Sequence, residues 1–153
     1  MGSLGRSNGS YYEEFEVGDT IETVGRTITE SDVVAFAGLT GDYNQLHTDA
    51  EFAKKGIFGE RVAHGLLVLG IVSGLAARSG FIDGTVEAFT GVEWKFRAPV
   101  RFGDTIRARF EVRRKRDALG HSGGLVYFDV VVLNQNDETV QKGSWTVLME
   151  SSR

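Results

Sequence analysis

Apolar positions along this chain change period near its middle, from helical spacing to strict alternation. Thr29-Glu30-Ser31-Asp32 has the spacing of a capping box, and Val33, Val34, Phe36 and Ala37 follow at helical intervals, predicting a short helix up to Gly38. The same spacing from Thr48 to Glu51 predicts a second helical turn, with Phe52 and Ala53 apolar and Lys54-Lys55-Gly56 closing it. Between them, Thr40 to His47 reads as a loop. From His64 to Ser79 the apolar residues Leu66, Leu67, Val68, Leu69, Ile71, Val72, Leu75, Ala76 and Ala77 run nearly all round a helix, the pattern of burial on every side. Gly70 and Gly74 weaken that helix by up to about 1 kcal/mol each relative to alanine, so close packing against another backbone is the expected compensation.

The second half alternates. Val92, Trp94 and Phe96, then Ile106, Ala108, Phe110 and Val112, then Trp145, Val147 and Met149 each recur at period two, predicting half-buried strands. Leu125 to Leu133 is almost continuously apolar, as a central strand would be. Phe15-Glu16-Val17-Gly18-Asp19-Thr20 predicts a turn into an extended run from Ile21 to Ile28, and nearly the same words return from Val100 to Ile106. The sum is an α+β domain in which an antiparallel sheet of about five strands curls round one long apolar helix.

Composition narrows the function classes. A chain of 153 residues is one domain's worth, and a formal charge of −4 disfavours nucleic acid or an anionic membrane as partner. Without cysteine, disulfides, thiolate metal sites and cysteine nucleophiles are excluded. The apolar run from Ala63 to Ala77 is too short and too glycine-broken to span a bilayer, and the amino terminus lacks a signal peptide's apolar region, so a cytoplasmic location is expected. Residues 1–10, with three Gly and three Ser, are expected to be a disordered or appended tail, leaving residues 11–153 as a single domain.

Two places carry candidate chemistry. Asp42 and His47 lie in one loop between two capped helices, and a carboxylate and an imidazole that share a water can polarise it and pass its protons, which suits adding or removing water. The same residues also fit a plain turn, with Asp42 and Asn44 bonding locally and His47 as a satisfied polar contact. Ala63-His64-Gly65-Leu66 opens the long helix, where free amides and the positive end of the macrodipole suit a developing oxyanion and Gly65 admits close approach. Alternatively, Gly65 serves packing and His64 caps the helix. His47, His64 and His121 show no short-range spacing suited to a metal, and no metal or cofactor is expected. The turn Leu119–Gly124 sits between alternating strands and reads as a hairpin. Arg113-Arg114-Lys115-Arg116 reads as solvated edge protection or as an anchor for the phosphates of an acyl carrier.

The run Thr40-Gly41-Asp42-Tyr43-Asn44-Gln45-Leu46-His47-Thr48-Asp49, followed by Ala53-Lys54, Phe58-Gly59 and Val62-Ala63-His64-Gly65-Leu66, resembles the hydratase motif of the MaoC-like, (R)-specific enoyl-CoA hydratase family. Trp94 to Val100 and Gly103 to Ile106 are similar to a strand-turn-strand segment of that family, and the likeness extends from Phe15 to Met149. The resemblance implies a hot-dog fold, a homodimer or dimer of dimers with active sites at the subunit interface, and an acyl-CoA or acyl-carrier-protein thioester as substrate. It also implies reversible hydration of a trans-2-enoyl thioester to an (R)-3-hydroxyacyl thioester, with Asp42 and His47 as catalytic dyad, the Gly65 N–H binding the thioester oxygen and Asn44 in support. A hot-dog acyl-CoA thioesterase and a non-catalytic acyl-thioester binding subunit are the alternatives. Gln45 stands where the motif usually has proline, which is expected to free the loop backbone around Asn44. Gly80 to Thr90 is expected to help shape the acyl tunnel.

Overall fold

The computed structural model describes residues 9–153. A 3-10 turn at Tyr12–Glu14 leads to β1 (Thr20–Glu22), β2 (Arg26–Thr27), α1 (Glu30–Thr40), α2 (Gln45–Thr48), α3 (Ala50–Lys54) and α4 (Gly65–Arg78). Four long strands complete the chain: β3 (Val86–Phe96), β4 (Thr105–Asp117), β5 (Gly124–Leu133) and β6 (Thr139–Met149). All pairings are antiparallel, in the order β1-β4-β5-β6-β3, with β2 also on β4. The predicted extended run from Ile21 to Ile28 is thus two short strands, which makes six in all. Thr23 sits at the break, where its hydroxyl accepts the Ala108 N–H at 2.9 Å while its own N–H donates to Ala108 O at 2.9 Å. β5 is central, as its apolar run predicted.

Local chemistry explains the helix boundaries. At α1, Thr29 Oγ1 accepts the Asp32 N–H at 3.2 Å and Asp32 Oδ2 accepts the Thr29 N–H at 2.8 Å, the predicted box. The helix passes through Gly38 and stops at Gly41, which is left-handed (φ 79°) and donates its N–H to Ala37 O at 2.8 Å. The predicted loop from Thr40 to His47 contains α2, capped by Asn44. α3 starts from Asp49, whose Oδ1 accepts the Phe52 N–H at 3.0 Å, because the Thr48 hydroxyl donates back to Tyr43 O and Asn44 O instead.

The core lies between α4 and the sheet. Val68, Val72 and Ala76 bury against the inward residues of β4 and β5, among them Ile106, Phe110, Val126, Phe128 and Val130. The helix is not covered on every side. Leu66, Gly70, Ser73, Gly74 and Ala77 form an exposed stripe, and none of the described residues lies within 4 Å of where a Cβ would stand on Gly70 or Gly74, so their expected backbone partner is not among them. Gly9 and Ser10 also depart from expectation. Ser10 is buried and donates its N–H to Phe81 O at 2.8 Å, so the packed domain reaches two residues into the predicted tail, whose remaining eight residues lie outside the described ones. No helix among the described residues is long and apolar enough to cross a membrane.

The N-terminus of α1 is held by an ion pair that is also a pH probe. The Arg26 guanidinium meets both carboxylate oxygens of Asp32 at 2.9 and 3.0 Å, and this bidentate bond, helped by Thr29, holds the Asp32 carboxyl down at about 2 against an ordinary 3.8. A depressed carboxyl contributes stability above its unfolded pKa and loses it as pH falls through the folded one. Asp32→Ala is expected to destabilise by about 1 kcal/mol near neutral pH. Urea midpoints of the two proteins should converge as pH falls from about 4 to about 2.

Candidate active site

Four successive residues, Val62 to Gly65, are tied by backbone or side-chain bonds to the elements around them. Val62 bridges Arg101, and the Ala63 N–H donates to Val100 O at 2.8 Å, fixing the segment to the start of β4's approach. Val62 O accepts His47 Nδ1 at 2.7 Å, and Gly65 O accepts Gln141 Nε2 at 3.1 Å. His64 Nε2 meets the backbone oxygen of Asp42 at 3.0 Å. The loop after α1, the short α2 and the start of α4 are thereby joined at one place.

Asp42 and His47 meet there as the sequence suggested. One carboxylate oxygen of Asp42 and one ring nitrogen each of His47 and His64 lie within 4.8 Å of one another. The carboxylate is aimed by a short turn in which Asp42 Oδ1 accepts the Asn44 N–H at 3.2 Å. The hydrogen bonds also set the tautomers. A carbonyl can only accept, so the protons sit on His47 Nδ1 and on His64 Nε2. Among the described residues His47 Nε2 is then a bare acceptor without a partner, and His64 Nδ1 is a bare acceptor buried without one. The two imidazoles stack, with centroids 3.8 Å apart and planes at 28°, and Phe36 lies 4.7 Å from the His64 ring on α1.

Histidines that looked unsuited to a metal by sequence spacing are therefore neighbours in space. The ring nitrogens facing Val62 O and Asp42 O carry protons, however, which leaves each ring one bare nitrogen.

A cavity of about 410 Å³ opens beside the pair, lined by His47, Gly65, Leu46, Phe58, Leu66 and Phe96 with Arg97, Pro99 and Gln141. Its wall is mostly apolar. Asp42 stands outside that wall with its side chain about half exposed (51%). Residues Gly80–Thr90, expected to shape a tunnel, do not line this cavity. Gly65 is the first residue of α4, whose start has no side-chain cap, so His64 does not cap it and its first amides are open. A Cβ on Gly65 would stand 2.6 Å from the Phe96 ring, so a larger residue here would force that half-exposed ring to move. The Arg113–Arg116 run lies along β4 and none of it lines the cavity; Arg113 faces Asp129 at 3.5 Å and Arg114 covers the Tyr127 ring.

Sequence reasoning missed two contributors. Gln141 is buried, accepts Trp94 Nε1–H at 2.8 Å and donates to Gly65 O, so it links β3, β6 and α4. Its signal was parity, since it shares the inward alternation of Trp145, Val147 and Met149. The stacking of His64 on His47 left no mark in the sequence beyond the His-Gly pair. Asn44 serves α2 directly, its Oδ1 accepting the Leu46 N–H at 3.0 Å.

A family model described as MaoC like domain matches residues 14–129. The 3-hydroxybutyryl-CoA dehydratase of Methylorubrum extorquens is 40% identical over 102 residues, which are 67% of this chain and 63% of that protein. The (R)-specific enoyl-CoA hydratase of Rhodospirillum rubrum is 35% identical over 102 residues, 67% of this chain and 69% of that one. Among the curated relatives it matches, the chain spans from about a third (31%) to about two thirds of their length. The solved structure of a monoamine oxidase regulatory protein from Archaeoglobus fulgidus superposes with a TM-score of 0.89 at 40% identity, over 97% of this chain and 99% of that one. The architecture is the hot-dog fold.

Gln45 leaves the Asn44 backbone in a conformation that proline at residue 45 would also favour. Asn44 has φ −51° and ψ 135°, the extended conformation that a following proline would impose, and Gln45 is the first residue of α2, where proline is favoured and no backbone N–H bond is lost. Gln45→Pro is therefore expected to be tolerated and to stabilise the protein by about 0.4–1 kcal/mol. Thermal and urea unfolding would measure it, and a loss of stability would mean that the Asn44 conformation is not already proline-like.

Proposed function

Because the chain belongs to the MaoC-like domain family, we propose that it is a hydratase and dehydratase that adds water reversibly to a trans-2-enoyl thioester, giving an (R)-3-hydroxyacyl thioester. The observation that carries this reading is the convergence of the Asp42 carboxylate and the His47 imidazole beside an apolar cavity that also holds the uncapped first turn of α4. The names of the two relatives, a 3-hydroxybutyryl-CoA dehydratase and an (R)-specific enoyl-CoA hydratase, support it.

The thioester carbonyl oxygen accepts the Gly65 N–H, where the open amides and the helix dipole favour the negative charge that gathers as the double bond is attacked. A water held between the Asp42 carboxylate and His47 Nε2 adds its oxygen to the β-carbon. The pair takes one proton from that water and returns one to the α-carbon, so the dyad ends as it began. Asn44 supports this by turning the Asp42 carboxylate and capping the helix that carries His47. Arg97, at the cavity and with no bond or ion pair from its guanidinium among the described residues, offers a cation to the phosphate-bearing CoA or carrier-protein handle.

The protein acts as a homodimer in this reading. β3 is the free edge of the sheet, and Phe89, Val92 and Phe96 on it are about half exposed, beside Leu66 at 62% on α4. A second copy pairing at this edge would cover them, and with them the bare stripe over Gly70 and Gly74.

With crotonyl-CoA, the enoyl absorbance is expected to fall without release of free thiol. Asp42→Asn and His47→Gln should each lower kcat by about 10² to 10⁴ with the fold retained. Thiol release would identify a thioesterase, and tight binding with neither signal a binding subunit. Val92→Lys is expected to shift the sedimenting species to monomer and to reduce activity; an unchanged dimer would move the interface away from β3.

A further inference from the structure

His64 is a buried, titratable side chain that the proposed mechanism does not use. It is 2% exposed, sits between Phe36 and His47, and leaves its Nδ1 buried without a hydrogen-bond partner. An unpaired buried acceptor is a cost that a phenylalanine ring in the same slot would not carry. What histidine supplies there and phenylalanine cannot is the Nε2–H, given to the backbone oxygen of Asp42 at 3.0 Å. The carboxylate itself is farther, with Oδ2 at 4.0 Å.

We infer that His64 is a positioning residue for the dyad. It fixes Asp42 through the main chain and His47 through the ring face, so that both halves of the pair are registered against the α4 start that carries Gly65. The loop needs this because Asp42 lies outside the cavity wall and its own carboxylate is held only by the Asn44 N–H among the described residues. His64 does not touch the reacting atoms and exchanges no proton with them. Its role is to keep the carboxylate oxygen and His47 Nε2 at a separation one water can bridge.

The kinetic arm of the test rests on the hydration reading, and the other two arms do not. His64→Phe keeps the packing and the stack, removes the donor and removes the unpaired Nδ1. It is expected to melt no lower than the parent, to exchange the amides of residues 42–46 faster, and to lose kcat on crotonyl-CoA by between about 10- and 100-fold with KM changed much less. His64→Gln, whose Nε2 can take the place of the histidine Nε2, is expected to recover most of that loss and the amide protection. Three results would each overturn the proposal: His64→Phe with the parent's kcat and exchange, His64→Phe losing stability along with activity as a purely structural residue would, or His64→Gln no better than His64→Phe. If the parent itself does not hydrate crotonyl-CoA, the hydration reading falls, and stability and amide exchange alone decide for or against His64.

Discussion

The four-residue segment Val62–Gly65 is the constraint on which the site depends. Each of its residues is bonded to a different neighbour: Val62 to Arg101 and to His47 on α2, Ala63 to Val100 before β4, His64 to Asp42 in the loop after α1, Gly65 to Gln141 on β6. A buried backbone group left without a partner would cost a few kcal/mol, so these bonds are obligatory once the segment is enclosed. Satisfying them with His47, the Asp42 carbonyl and Gln141 brings the chemistry to the start of α4 as a by-product of making the fold whole.

The strength of that anchor comes from the helix behind it. Leu67, Val68, Val72, Leu75 and Ala76 are buried, and each larger one contributes about 1.5–3 kcal/mol by leaving water. α4 is therefore held by its far side against the sheet, and its first turn cannot drift relative to β3 and β4. The Phe96 ring then fills the space where a side chain on residue 65 would have stood. Packing thus leaves the first turn of α4 uncapped beside the cavity, with no Cβ at residue 65.

Much of this was legible because it is local. The α1 capping box could be read from Thr29 and Asp32, and the two Gly-Asp turns form the same bond, Glu16 N–H to Asp19 at 2.9 Å and Arg101 N–H to Asp104 at 2.8 Å. Asp42 and His47 were legible as a pair since one short connection carries both. The end of α1 was not, because Gly38 and Gly41 are both glycine and only the backbone angles tell which one stops the helix. The start of α3 depended on what the Thr48 hydroxyl bonds to, and all-round burial of α4 failed because apolarity reports what can be covered and not what one chain has available to cover it. Alternation turns Gln141 inward but does not name Gly65 as its partner, and the His47–His64 stack joins distant segments that spacing does not encode.

Two imidazoles in contact could compete for one water, and burial decides between them. Each gives one N–H to a main-chain carbonyl, so each is left with one bare nitrogen. That of His64 is enclosed and can reach no solvent, while that of His47 belongs to a residue on the cavity wall. The same two hydrogen bonds therefore fix both tautomers and assign the two rings different tasks: one is available to a water beside Asp42, the other holds the main chain of Asp42 in place. Exchanging the acceptors would reverse the assignment without changing a single residue type, which is why the division of labour belongs to the fold and not to the composition of the motif.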